Sequence, residues 1–595
     1  MGEQSQHCLY EFGPFCVDTR ERVLLRDGKP VPLKPKVYET LLALVNNSGH
    51  IVDKEELMRQ VWPDVVVEEN NLTGNIFALR KVFDGHHYIE TVARRGYRFT
   101  ADVKQVRIED VKVRDREGGE SEVLIKETVS TNRESISSLA VLPFINAGAD
   151  PEAEYLSDGI TESIINNLSQ LPALRVMARS TVFRYKGRES NPQEVGRELG
   201  VRAVLLGRVV QLRDRLSVRA ELVDVADGSQ LWGNQYSRDA PDIFAIQEDI
   251  SSEISKELRL RLTGAERERL RKRYTENTEA FHAYLKGRYH LNKRTASGLR
   301  KAIEHFREAI ELDPTYALAY AGLADTYTLL GSAGYDAPSP REMISKAKAA
   351  AVKALEIDES LAEAHTSLAF IKFRLDWDWA GAEKEFARAI ELNPGSAASH
   401  HWYALYLTAM SRQTEAMREI KRAQELDPLS LIITSAAGRV YHFAEQYDQA
   451  LEEYRKTFEM DPNYAEAHFN LGLTYAQKGM YEEAIAELQE AIKLSENRTV
   501  MLAVLGHIYS MAGKQTQARS VLEQLNELSS RCYVSPLEIA IVYTGLGEKD
   551  LAFERFEKAY LERAGALIYL KVEPLYDSLR EEPRFNDLLR RLNLE

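Results

Sequence analysis

The sequence predicts a multidomain α+β chain, and three observations carry that expectation. Near the N-terminus an apolar stripe at helical spacing, Leu72, Ile76, Leu79 and Phe83, runs straight into two short strands joined by a tight turn. From Ser137 onward short apolar runs alternate with amphipathic segments, the pattern of an α/β domain with a mixed sheet. In the C-terminal half, Asn393-Pro394, Asp427-Pro428 and Asp461-Pro462 stand 34 residues apart, the spacing of an all-α repeat. A chain of 595 residues is too long for one domain, and about 150 residues per domain gives about four.

Taking the elements in order, Tyr10 to Val17, Val23 to Arg26 and Val31 to Leu33 read as strands, with Asp27-Gly28 as a hairpin turn. Leu41, Leu42, Leu44 and Val45 lie in a first helix stopped at Asn47-Ser48-Gly49, and Asp53 starts a second that Pro63 ends. The third helix buries Leu72, Ile76, Leu79 and Phe83 and leaves Asn71, Thr73, Asn75, Ala78, Arg80 and Lys81 on its other face. Short polar groups followed by cations suit a helix that enters a DNA major groove. Tyr88 to Val92 and Tyr97 to Thr100 then flank a turn with Arg94 and Arg95 at its tip. Three helices and a wing make a winged helix-turn-helix, although such a helix and hairpin also occur in cores that touch no nucleic acid.

Residues 10 to 100 closely resemble the OmpR/PhoB-type winged-helix DNA-binding domain. The resemblance is carried by Leu33-Lys34-Pro35-Lys36 with Glu39 and Leu41-Leu42, Leu57 with Val61-Trp62, Ile76 with Leu79-Arg80-Lys81, Ile89 to Val92, and Arg95-Gly96-Tyr97-Arg98-Phe99. It implies that the third helix reads the major groove while the wing reaches the neighbouring minor groove or backbone. The implied contacts to double-stranded DNA are Asn70, Asn71, Thr73, Asn75, Arg80, Lys81, Arg94 and Arg95. Two features depart from the family pattern: Gly74 inside the helix, costing roughly 1 kcal/mol against Ala, and Phe77, which reads as pointing outward. In that family the loop before the third helix lies beside DNA and can touch RNA polymerase, which nominates Asp64, Val65, Val66, Val67 and Glu68.

Residues 1–105 are therefore read as the DNA-binding domain and 106–136 as a flexible linker, rich in Glu, Lys, Arg and Ser around Gly118-Gly119. The CadC/ToxR regulators that share this N-terminal domain usually place a transmembrane helix there; no run in this chain reaches the roughly 18 apolar residues a bilayer span needs. With no secretory leader pattern, the expected compartment is the cytoplasm, with no membrane partner. The net charge of −14 argues against a surface that coats nucleic acid as a whole, yet between Asn70 and Arg98 the five cations Arg80, Lys81, Arg94, Arg95 and Arg98 face only Asp84 and Glu90. Cys8, Cys16 and Cys532 have no metal-site spacing, so no metal and no cofactor are expected.

The middle segment, 137–265, reads as strand Leu139 to Phe144, helix Leu156 to Leu171, strand Leu174 to Met177, helix Pro192 to Leu199 closed by Gly200, strands Ala203 to Gln211, Leu216 to Val225 and Gln230 to Tyr236, and a closing helix Ile243 to Leu262. Ala140 to Phe144, Leu156 to Gly159 with Thr161-Glu162, Ala178-Arg179-Ser180, Gly207 and Leu222 to Asp224 with Gly228 and Leu231-Trp232 make it resemble the TolB N-terminal-like α/β domain. Asp158, Glu162 and Arg179 would suit acid–base work; the alternative, favoured here, is that Asp158 caps the helix and Glu162 sits in its first turn.

The 34-residue period is that of the tetratricopeptide repeat. Leu471, Gly472, Tyr475, Ala484, Leu488 and Ala491 occupy its pattern positions, as do Gly438, Tyr441, Ala450, Tyr454 and Pro462 one unit earlier. Roughly eight repeats are read from about Thr278 to Ala564, with an insertion near Gly331 to Pro340, and a final helix from Pro574 to Leu594 caps the array, 275–595. The resulting superhelix is expected to take a protein or peptide ligand in its concave groove, or only to dimerise or space the domains. Asp376 to Trp379 reads as a turn with Trp packing inward, and His400 and His401 point to opposite sides of a helix. No phosphate-binding loop, nucleophile elbow or zinc-protease motif is present, so no enzyme is expected. These readings converge on a sequence-specific, one-component transcriptional regulator with a possible homodimer; the alternative is a cytoplasmic signalling scaffold whose winged helix makes only protein contacts.

Overall fold

A computed structural model describes residues 8–19, 21–49, 51–62, 67, 69–84, 86, 88–92, 95–101, 103–114, 120–130, 136–148, 153–188, 191–212, 215–239, 243–258, 262–332, 340–495 and 499–595. The chain divides into two compact units, Met1–Ser135 and Ile136–Glu595.

In the first unit, strands β1 (Cys8–Phe12), β2 (Phe15–Asp18), β3 (Val23–Arg26) and β4 (Lys29–Val31) form an antiparallel meander. Its last turn is the expected one, with Asp27 and Gly28 both at positive φ, 49° and 76°. Helices α1 (Pro35–Asn46), α2 (Lys54–Val61) and α3 (Glu69–Val82) follow, with β5 (Ile51–Asp53) pairing β7 (Gly96–Phe99), which pairs β6 (Ile89–Val92). Phe12, Phe15, Phe83 and Phe99 fill the centre with rings in edge contact. The segment read as a linker is different in the structure: β8 (Lys104–Arg114) and β9 (Glu120–Ser130) make a hairpin, and β8 pairs β1. Val106 with Ile108, and Val111 with Val113, alternate with charged residues, a period of two that the high charge of the segment masks. Gly118-Gly119 lies outside the described residues.

The second unit opens with a mixed sheet in the order β12 (Arg175–Val176), β10 (Ser138–Val141), β13 (Ala203–Leu212), β14 (Arg215–Asp224), β15 (Gln230–Asp239), with β11 (Ile145–Asn146) also on β13. The first three run parallel and the last three antiparallel, as crossovers and hairpins in the sequence require. Helices α4 (Glu154–Ser169), α5 (Arg179–Val182), α6 (Pro192–Glu198), α7 (Ile243–Glu257) and α8 (Gly264–Arg271) complete this part. Asp158 and Glu162 correct the capping expectation: the cap of α4 is Ala153, five residues before Asp158, so both acids lie inside the helix and are buried. Glu162, 5% exposed, accepts Arg288 Nε at 2.8 Å and Asn292 Nδ2 at 2.9 Å and pairs with Arg179 Nε at 3.2 Å. Burial pushes the Glu162 carboxyl upward, but Arg288 and Arg179 outweigh it and hold it below the usual range. Asp158 pairs with Lys186 at 2.5 Å.

The described repeat helices form eight antiparallel pairs, from Thr278–Leu291 with Ala296–Leu312 to Pro536–Leu546 with Lys549–Leu561. A Cβ at Gly438, Gly472 or Gly506 would lie 2.2 to 2.9 Å from Tyr454, Leu488 or Val521, which is why small residues recur where the paired helices cross. The expected single capping helix is two pieces, a 3-10 turn Pro574–Leu579 and a helix Pro583–Arg591, because Pro583 cannot continue a helix. Trp377 is buried in a left-handed turn before the helix Trp379–Leu392, as expected. His400 bonds Glu419 at 2.6 Å, whereas His401 lies against Trp402, where burial pushes it down to about 3.

The α/β part and the array share one core, running from Leu139 on β10 through Ile250 on α7 to Phe306 and Tyr316 in the first repeats. Polar contacts fall on the turns that mark the period. Asp427 accepts Thr181 Oγ1 at 2.7 Å and also Ser180 Oγ, Ala178 N donates to Leu426 O at 2.8 Å, and Asn393 Nδ2 donates to Ser169 Oγ at 3.1 Å. Residues that count repeats thus also fasten the neighbouring domain.

Candidate nucleic-acid interface

Helix α3 forms because its apolar positions share one face: Leu72, Ile76 and Leu79 are buried, and Phe83 continues the stripe just beyond its end. The opposite face carries Asn70, Asn71, Thr73, Gly74, Phe77, Arg80 and Lys81, all exposed. Phe77 is 73% exposed, a large apolar ring with no place in the core. Lys54 pairs with Glu69 and so ties the start of α2 to the start of α3.

Among the nominated residues Thr73 bonds back within α3, its hydroxyl donating to Glu69 O at 3.2 Å, and Asn75 and Arg80 are engaged with other elements of the domain. The Asn75 carboxamide donates to Lys36 O at 3.0 Å and to Thr40 Oγ1 at 2.9 Å, fastening α3 to α1. Both of its N–H donors are spent there, so the polar face loses a base-reading donor that helical spacing alone assigned to it. Arg80 donates through Nε and Nη2 to Ile89 O at 3.2 and 2.9 Å, and through Nη2 to Thr91 Oγ1 at 2.7 Å, which fixes the wing against the helix. Arg80 stays exposed while making these bonds, so the residue braces and carries charge at once. Lys81 and Arg95 are exposed; Arg94, Asp64, Val65, Val66 and Glu68 lie outside the described residues, and Val67 is half-buried.

Backbone requirements explain several family positions. A Cβ at Gly96 would stand 2.0 Å from Val52 O, so only glycine lets β7 approach β5 at the base of the wing. Lys36 Nζ bonds Val61 O at 2.6 Å and Glu39 at 2.8 Å, a clamp between α1 and the end of α2 rather than a ligand contact. Gly74 differs from both, since a Cβ there meets nothing within 4 Å and its helical backbone does not demand glycine. Phe77, an outward aromatic with Gly74 and Thr73 one turn earlier, stands on the exposed face of α3, as its position in the sequence led one to expect.

The profile described as "Transcriptional regulatory protein, C terminal" matches residues 28–99, "HilA/YgeH-like transcriptional regulator, second domain" matches 135–253, and tetratricopeptide profiles match 438–479 and 465–498. Transcriptional regulator HilA of Salmonella typhimurium is 25% identical over 410 residues, 68% of each chain. Putative adenylate cyclase 3 of Rhizobium meliloti is 35% identical over 232 residues, 39% of each chain. Transcriptional activator CadC of Escherichia coli is 28% identical over 103 residues, 16% of this chain and 20% of that one. The chain spans about two fifths of the length of the cyclase relative and about two thirds of HilA. Among the described residues no helix is long and apolar enough to cross a membrane. In sequence and domain order the chain is similar to HilA-type transcriptional regulators: an OmpR/PhoB-type DNA-binding domain, a HilA-like second domain and tetratricopeptide repeats.

Proposed function

We propose that the chain is a sequence-specific, DNA-binding transcriptional regulator of the one-component type, working in the cytoplasm, whose repeat array takes a protein or peptide partner. The observation that carries this reading is the exposed face of α3, with Asn70, Thr73, Gly74, Phe77 and Lys81 set beside a wing braced by Arg80 and bearing Arg95. An α-helix of that shape and polarity fills a B-DNA major groove, amides and hydroxyls meeting base edges, the phenyl ring meeting thymine methyls, and cations meeting phosphates. Asn71 and Arg94 belong to the same surface by sequence. RNA polymerase is the further partner, met through the Asp64 to Glu68 loop, and a homodimer would set two half-sites. No catalytic role, metal or cofactor is part of this reading.

The test is binding of the full chain to random-sequence oligonucleotides through rounds of selection. A regulator enriches a motif, and the enrichment falls in an Arg80/Lys81/Arg95 triple alanine variant. A flat output for the intact chain would favour the signalling scaffold.

A further inference from the structure

Helix α4 carries a second stripe that a core helix does not need. Ile160, Ile164, Ile165 and Leu168 are buried as the amphipathic pattern requires. Ser163, Asn166, Asn167 and Gln170 recur at i, i+3, i+4 and i+7, a polar and uncharged row that ends at the C-cap of the helix. The row runs along about 10 Å of helix and lines a cavity of about 80 Å³ between the α/β part and the first repeats. A water molecule needs roughly 10 to 15 Å³ of such space, so about six would fit, which at about 30 Å³ of liquid each is the volume of one small ring with its substituents.

Gln247 lines the same cavity from α7. Its side chain is 7% exposed, and its Nε2 is buried with no hydrogen-bond partner among the described residues. Ser251, one turn further along α7, also keeps its Oγ buried and unpartnered among them. A buried donor left in this state costs free energy that an acceptor brought by a ligand would recover. The rest of the wall is aromatic and comes from the repeat side: Tyr274 ahead of the helix Thr278–Leu291, Phe281 and Tyr284 on that helix, and Tyr316 before the next repeat, with Tyr284 and Tyr316 ring centroids 5.2 Å apart.

Charge on the wall cancels. Lys272 pairs with Asp358 at 2.7 Å and Arg273 with Glu248 at 3.5 Å, and Glu363 brings the lining to two cations and two acids. Such a wall gives no preference to an ion. Carboxamides and a hydroxyl each donate and accept, so they match groups that do the same. Polar groups on one side and aromatic rings on the other ask for a ligand with one apolar face and a polar rim, which a pyranose ring has and a nucleobase, with two like faces, has not.

We propose that this cavity binds a neutral monosaccharide, its hydroxyls bonded to the amides of α4 and α7 and its C–H face resting on the aromatic rings of the repeat side. The site goes beyond the DNA-binding reading and does not depend on it.

The experiment is calorimetric titration of the full chain with D-glucose, D-galactose, D-mannose, L-arabinose and N-acetyl-D-glucosamine, beside D-glucuronate, D-glucosamine and adenine. At least one neutral sugar should bind saturably, one molecule per chain, and the charged sugars and adenine at least tenfold more weakly. Gln247→Leu, which keeps the bulk of the side chain and removes the unpartnered donor, should weaken that binding at least tenfold. Asn167→Leu should do the same from α4; if either leucine variant fails to fold, Asn167→Asp keeps the shape, adds a charge to the wall and should weaken binding equally. Absence of binding by all five neutral sugars, tighter binding of a charged sugar or of adenine, or sugar binding that survives the changes at both Gln247 and Asn167 would each overturn the proposal. A chain that enriches a DNA motif yet binds no sugar keeps the regulator reading while this site falls, and sugar binding beside a flat DNA selection does the reverse.

Discussion

Gly74 is the residue at which stability and the proposed function pull apart. Helical glycine costs roughly 0.8 to 1 kcal/mol against alanine, and a Cβ at this position meets open space. Gly74→Ala should therefore stabilise the free domain by about that amount, read as a shift of the denaturation midpoint. It should also weaken DNA binding, because the added methyl stands on the face proposed to approach base edges; unchanged affinity in a mobility-shift titration would remove Gly74 from the interface. Asn75→Ala belongs with the scaffold: losing two hydrogen bonds between α3 and α1 should cost about 1 to 2 kcal/mol, with base preference little changed. Arg95→Ala, at an exposed cation of the wing, should weaken binding to all sequences alike and flatten the salt dependence by about one counterion.

At the scale of the element, a repeat is held by a crossing and by a polar clamp. Gly438→Ala puts a methyl 2.2 Å from Tyr454 and should cost about 1 to 3 kcal/mol through overpacking, while Gly479→Ala, in an exposed left-handed turn, probes strain without a clash. The clamp in the third repeat is Glu385, which accepts His365 Nδ1 at 2.6 Å and Lys372 Nζ at 2.9 Å. The His365 hydrogen bond, with Lys372, outweighs burial and holds Glu385 down to about 2. A carboxyl depressed on folding gives its full stability above its ordinary pKa of 4.5 and loses it as the pH falls toward 2. Glu385→Gln should therefore destabilise the chain at neutral pH, by on the order of 2 kcal/mol, and the gap to the natural chain should narrow below about pH 4.5. A gap independent of pH in urea titrations would mean that packing, not charge, sets the clamp.

For the whole molecule, the shared core makes the α/β part and the array one cooperative body. Full-length protein should melt in two calorimetric transitions, one for each compact unit, where a reading of separate domains expects three. Glu162→Gln leaves Arg288 and Arg179 buried and under-compensated, and should lower only the transition of the second unit, by about 3 to 5 kcal/mol. Splitting of that transition into two would show that the network was the main fastening between the parts.

Local pattern determined the elements. The stripe of Leu72, Ile76 and Leu79, the Asp27-Gly28 turn and the 34-residue spacing each depend on a few neighbouring residues, so helices, hairpins and repeats were legible from the chain alone. Tertiary structure decided what long-range partners decide. Asn75 turned from reader to brace because Thr40 lies 35 residues away in sequence and 2.9 Å away in space. Asp158 and Glu162 became members of an ion network because Arg288 arrives from the first repeat, and a segment rich in charge became β8 and β9 because β1 offered an open edge. The contact of Tyr569 with Arg439, 130 positions apart in sequence, leaves no trace in any local window, since periodicity reports the face a residue occupies and not the residue it will meet.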